Sequence, residues 1–189
     1  MNKTLIIVDA QYDFMEGGKL PVQGATKALD NIVEYLNSGE ISTVITTQDW
    51  HCGMHESFIS EGGQFPEHCI RMTHGSRIYQ PILDAIHNNN IFAFNLRKGH
   101  YTEEFTAFKY LTRGYNHWKE YSTTDYTEPY IQFHEEEIVQ ICGLAGDICV
   151  MQTAIVLKDL KPVIIESMTA SLNVENFRKL ADLNGITII

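Results

Sequence analysis

The chain has 189 residues, enough for one α/β domain with a substantial core. Its net charge of −10 argues against a nucleic-acid partner, because phosphate binding needs Lys/Arg patches. No apolar run is long enough to span a bilayer, and four scattered cysteines are too few for a disulfide scaffold, so a reducing cytoplasm is expected.

The N-terminal Met1-Asn2-Lys3 leads straight into Thr4–Val8, with no signal-peptide pattern. That run is short, apolar and β-branched, and predicts a buried strand ended by Asp9. Residues 25–37 carry apolar side chains at helical spacing, with Ser38-Gly39 as a stop. Residues 42–47 predict a second strand, followed by Asp49-Trp50-His51. The stretch from Cys52 to Arg77 is long and rich in Gly, His and Glu, which suits a functional loop better than a linker. Pro81 opens a helix over 81–87, and residues 91–96 form a third strand just before Lys98. Residues 110–134 are aromatic and polar without a clear period. They read as an insertion that caps the site or mediates contacts in a homo-oligomer. Beyond them come a strand at 138–142, a helix over 150–157, a strand at 163–167, a helix over 174–183 and a terminal strand at 186–189. Alternating β and α elements predict a single α/β domain over 1–189. It has three layers: a mostly parallel sheet with helices on both faces.

Chemistry gathers where these strands end. Cys149, in Gly143-Leu144-Ala145-Gly146-Asp147-Ile148-Cys149, sits at a strand-to-helix junction. Open α/β folds place ligands there. The nearby helix N-terminus favours thiolate, and its free N–H groups can hold an oxyanion. A lone buried cysteine is more often structural. Asp9 alone reads equally as a turn carboxylate, and Lys98 alone as a surface charge. Brought together at one crevice, acid, base and thiol make an activated nucleophile. Asp49 and His51, two apart at a strand end, can point to the same side. With His68 they form a carboxylate–imidazole set suited to Zn, Fe or Mn.

Five segments resemble the nicotinamidase/pyrazinamidase group of the isochorismatase-like cysteine hydrolases. They are Asp9-Ala-Gln-Tyr-Asp-Phe14, Asp49-Trp-His51, Phe65-Pro-Glu-His68-Cys, Lys98-Gly and Gly143-Leu-Ala-Gly-Asp-Ile-Cys149. The resemblance runs in order from about residue 4 to the C-terminus. It implies a six-stranded Rossmann-like sheet and hydrolysis of nicotinamide to nicotinate and ammonia, with pyrazinamide also cleaved, in NAD salvage. It assigns Asp9, Lys98 and Cys149 to catalysis and the N–H groups of Ala145 and Cys149 to the oxyanion. It also implies a cis peptide between Leu144 and Ala145. Phe14, Phe65 and Leu144 would contact the substrate, with Phe105 where some relatives have Tyr. One divalent metal, zinc preferred over iron or manganese, would bind Asp49, His51 and His68. The fourth ligand would be Glu61 or His55, with Glu61 preferred. His74, His87, His100, His117 and His134 are expected at surfaces or in loops. The main alternative is a metal-free amidohydrolase of the same superfamily acting on a carbamoyl or ureido compound. Isochorismatase itself, which needs no cysteine nucleophile, and a non-enzymatic binding protein on the same scaffold are the others.

Overall fold

The structure, a computed structural model, describes residues 3–108, 117–118, 131–133 and 136–189. Six strands form one sheet: β1 (Lys3–Val8), β2 (Thr43–Asp49), β3 (Phe92–Lys98), β6 (Ile138–Gly143), β7 (Val163–Thr169) and β8 (Thr187–Ile188). Their order is β3-β2-β1-β6-β7-β8, and every pairing is parallel. A separate antiparallel pair joins β4 (His117–Trp118) to β5 (Ile131–Gln132). The expectation that 110–134 caps the site or mediates oligomer contacts otherwise falls outside the described residues.

β1 runs through the middle of the sheet, so both its faces are buried. Leu5 and Ile7 pack with Leu29, Ile32 and Ile82, which come from α1 (Ala25–Asn37) and α2 (Gln80–Asn88). Ile6 and Val8 pack on the opposite face with Met151 and Phe177, from α3 (Met151–Val156) and α4 (Val174–Asn184). A strand covered on both sides reads as a continuous apolar run, which is why no alternation was visible in Thr4–Val8. Each such side chain contributes about 1.5–3 kcal/mol on burial.

Helix α1 buries Ala25, Ala28, Leu29, Ile32 and Leu36, the spacing of one helical face. Its N-cap, Gly24, has no side chain to offer. Glu16 supplies the cap instead: its carboxylate accepts from the N–H groups of Gly24 (2.7 Å) and Thr26 (2.9 Å) and from the Thr26 hydroxyl. These bonds hold the Glu16 carboxyl down at about 2, with the Thr26 hydroxyl the largest cause. A depressed carboxylate stabilises the fold above its unfolded pKa and loses that contribution as pH falls toward 2. Glu16→Gln is therefore expected to cost up to about 1 kcal/mol in urea unfolding at pH 7. The deficit should shrink as pH falls toward 2, where wild type takes up its own proton.

Parallel strands run outward from β1 in both directions, so the sheet has a topological switch point between β1 and β6. Ligand crevices form there, at the carboxyl ends of the strands. Two strands extend further than expected. Asp49 and Lys98 do not follow β2 and β3; they are the last residues of each, and they pair in register.

Candidate active site

The chain leaves β1 through Asp9, whose backbone is left-handed (φ 47°). That turn points a fully buried carboxylate across the strand ends. Its Oδ1 accepts from the Thr47 hydroxyl at 2.7 Å, and its Oδ2 lies 2.8 Å from Lys98 Nζ. The same ammonium contacts Asp49 Oδ1 and stands 3.7 Å from Cys149 Sγ. The oxygens of Asp9 and Asp49 and the thiol sulfur all come within 4.8 Å of one another. One buried lysine thus joins two carboxylates and a thiol.

Burial sets the protonation states. It opposes charge on Lys98, but Asp49, Asp9 and Cys149 outweigh it and hold the ammonium well above its ordinary range. Burial also opposes ionisation of Asp49, yet Lys98 and His51 prevail and its carboxyl lies far below the usual range. For Asp9, burial wins over Lys98 and the carboxyl is raised. Burial lifts the Cys149 thiol well above its ordinary value, against the pull of Lys98. The expectation of a thiolate favoured by a helix N-terminus is corrected on two counts. Cys149 lies inside a π-helical turn, Gly146–Val150, ahead of the short α3, and burial raises its thiol despite the pull of Lys98.

Three buried side chains converge beside this cluster. Asp49, His51 and His68 place ligand atoms within 4.8 Å of one another. His51 uses Nδ1 on the Gly99 carbonyl, and His68 uses Nδ1 on the Pro66 carbonyl at 2.8 Å. With Nδ1–H committed to the backbone, each ring presents its Nε2 lone pair, the tautomer that metal-binding histidines adopt. Asp49 keeps Oδ2 toward them, 3.6 Å from His51 Nε2. The donor set therefore fits a borderline divalent cation such as zinc. Gly99 is required here: its φ is +64°, and a Cβ would stand 2.7 Å from the His51 ring.

Of the two proposed fourth ligands, Glu61 is exposed on the 3-10 turn Ile59–Glu61. His55 is fully buried, its ring 4.0 Å from that of His51, and its Nε2 has no hydrogen-bond partner among the described residues. The geometry favours His55 over Glu61, although neither joins the three-residue cluster. His74 is exposed and stacks on Tyr12, as expected of a loop histidine.

A cavity of about 510 Å³, including its open mouth, reaches both Cys149 and the Asp49–His51–His68 set. Phe14, Phe65 and Phe105 line it together with Asp49, His51, His68, Ala145 and Cys149. Phe14 and Phe65 stand 5.5 and 5.9 Å from the His68 ring. Leu144 departs from expectation: it is fully buried in the core beneath and does not line the cavity. The Leu144–Ala145 peptide is cis. Among the described residues, the Ala145 N–H meets no acceptor.

Sequence reading missed several contributors. Leu20, Val22, Ile148 and Leu172 complete the apolar wall. Asp147 holds the Leu172 loop through bonds to the N–H groups of Leu172 and Asn173 (2.9 and 3.1 Å). Asp13 accepts from the Cys69 N–H at 2.7 Å and so fixes the peptide after His68. Asp13 and Asp147 lay within quoted motifs, but no local pattern distinguished them from turn residues.

Residues 3–183 match the isochorismatase domain family, and the chain belongs to it. It is 32% identical to the nicotinamidase of Acinetobacter baylyi over 174 residues, 82% of this chain and 73% of that protein. Among solved structures it is similar to the L. infantum protein in complex with nicotinate. There the TM-score is 0.75 at 26% identity, over 100% of this chain and 92% of that one. The pyrazinamidase of Pyrococcus horikoshii in complex with zinc has a TM-score of 0.72, covering 100% and 99% of the two chains. Its 23% identity speaks for the fold alone. No described helix is long and apolar enough to cross a membrane.

Proposed function

We propose that this chain is a nicotinamidase, hydrolysing nicotinamide to nicotinate and ammonia through a Cys149 thioester. One observation carries this reading: Cys149, backed by the buried Lys98 and Asp9, lines the same aromatic cavity as Asp49, His51 and His68. The A. baylyi and L. infantum relatives support it by their names and ligand.

Burial raises the Cys149 thiol, so attack is taken to begin with proton transfer. Asp9, whose raised pKa suits it to accept and return a proton, takes the Cys149 proton. The sulfur bonds to the amide carbon, and the carbonyl π electrons move to oxygen. The N–H groups of Ala145 and Cys149 hold that oxyanion. Asp9 returns the proton to the departing nitrogen, and ammonia leaves with the thioester formed. Asp9 then takes a proton from water as the water attacks the thioester; when the C–S bond breaks, Asp9 returns that proton to the Cys149 sulfur, and nicotinate leaves with its acid proton released to solvent. Lys98 stays charged throughout and offsets the negative charge that moves between Asp9 and sulfur. Phe14, Phe65 and Phe105 confine the flat ring. Asp49, His51 and His68 would hold one divalent cation, zinc preferred, and when bound it would supply a Lewis-acid position for the pyridine nitrogen.

The metal-free amidohydrolase reading leaves three converging buried ligands unused, so it is not favoured. The four cysteines are free and buried, in keeping with a cytoplasmic enzyme. The test is ammonia release from nicotinamide before and after dialysis against a chelator. Nicotinamide and pyrazinamide should turn over, chelation should abolish this, and added zinc should restore it. Benzamide, lacking a ring nitrogen, should be poor. Hydrolysis unchanged in protein free of stoichiometric metal would shift the choice to the metal-free alternative.

A further inference from the structure

We propose that Gln11 is a positioning residue, its side-chain amide standing in for a missing strand to hold Asp49 in place. The inference rests on the reading of Asp49 as a metal ligand and as the partner of Lys98.

In a strand, the N–H and C=O of one residue point to the same neighbour, and those of the next residue to the opposite one. The Trp50 N–H bonds to the Lys98 carbonyl, toward β3. The N–H and C=O of Asp49 therefore face the other way, toward β1. But β1 ends at Val8 and the chain turns away at Asp9. Two buried backbone groups at the centre of the site would be left without a partner, each a costly vacancy.

Gln11 fills that vacancy. Its Oε1 accepts the Asp49 N–H at 2.8 Å, and its Nε2 donates to the Asp49 carbonyl at 2.8 Å. A carboxamide carries the same donor and acceptor as a peptide group, so it extends the sheet by one peptide at the point where the main chain has left. The second Nε2 hydrogen goes to the Ser76 carbonyl at 2.8 Å, tying in the segment that follows His68. Gln11 is fully buried and every polar hydrogen is used. It lies two residues from Asp9. One side chain therefore sets the spacing between the carboxylate assigned as base and the carboxylate assigned as ligand.

Gln48 is an internal control. It is also buried and donates to the Ser76 carbonyl at 2.5 Å, but its remaining bonds go to Asn95 and Arg97. It makes no hydrogen bond to Asp49.

The experiment measures zinc affinity, by competition with a chromophoric chelator, and kcat for nicotinamide. The proteins are wild type, Gln11→Met, Gln11→Glu and Gln48→Leu, each checked by thermal unfolding. Both Gln11 variants should bind zinc about 10- to 100-fold more weakly, the usual effect of losing a residue that orients a ligand. Their kcat should fall by at least tenfold. Gln48→Leu should lose similar thermal stability and keep zinc affinity within threefold. Zinc affinity and kcat within threefold of wild type in the Gln11 variants would overturn the proposal. So would an equal zinc defect in Gln48→Leu, or failure of both Gln11 variants to fold while Gln48→Leu folds. If wild type binds no zinc, the metal reading falls together with this one; if only the Gln11 effect is missing, the metal reading stands.

Discussion

Cys149→Ala is expected to lower nicotinamide turnover by at least about 10⁴-fold, the scale of losing a covalent nucleophile. Stability should change by only about 1 kcal/mol, because the change removes one sulfur from a tight site. The ring walls and the three metal-binding side chains remain, so nicotinamide should still bind, measured by calorimetry. Asp9→Asn should lose nearly as much activity for a different reason. The thiol lies in a pocket that lifts its pKa, and the other nearby carboxylate, Asp49, is held far below its usual range and is a much weaker base. Iodoacetamide separates the two roles: alkylation of Cys149 should slow markedly in Asp9→Asn. Equal alkylation rates would remove Asp9 as the activating base. Hydrolysis by Cys149→Ala within tenfold of wild type would remove the thiol from the mechanism.

Replacing Asp49, His51 or His68 by Ala should each cost bound metal on dialysis, and activity with it. A two-ligand site has far lower affinity than a three-ligand one, and the committed Nδ1 bonds of His51 and His68 cannot re-form a third donor elsewhere. The Asp49 variant should suffer most, because it also strips Lys98 of a partner and leaves a buried ammonium less well matched. Metal content by atomic absorption, alongside ammonia release, reads both effects. His55→Ala should lose more metal than Glu61→Ala, since His55 packs on His51 and Glu61 is exposed. Full metal content in all three principal variants would end the metal reading.

The sheet was legible because its signals are local. The runs at 4–8, 138–142 and 163–167 are apolar and bounded by turn residues, and each became a strand with its end shifted by a residue or two. The helix at 25–37 was read to its bounds because its buried face repeats at helical spacing and a Gly follows. The convergence of Asp9, Lys98, Asp49 and Cys149 was legible once strand order placed their ends together. What stayed hidden depends on distance through space. Gln11 acts on residues 38 and 65 positions away, and no periodicity within a short segment carries that information. The thiol's environment was misread for a related reason. A cysteine before a helix suggests a dipole, but only the packed structure reveals that Cys149 is buried within a π-helical turn and dominated by desolvation. Leu144 likewise sat in a motif whose neighbours face the cavity, while its own side chain turns into the core.

Asp49 and Lys98 occupy the two ends of one rung, the last one joining β2 to β3. Their separation is quantised by hydrogen bonding: a slip of one residue would carry Lys98 to the other face of the sheet. The apolar walls obey no such rule. Phe65, Phe105 and Leu172 hang from loops outside the strands, where one side chain can be exchanged for another without disturbing a ladder. The molecule thus keeps two kinds of adjustment apart. What the cavity admits can be tuned continuously, residue by residue, while the charged centre moves in whole steps or not at all.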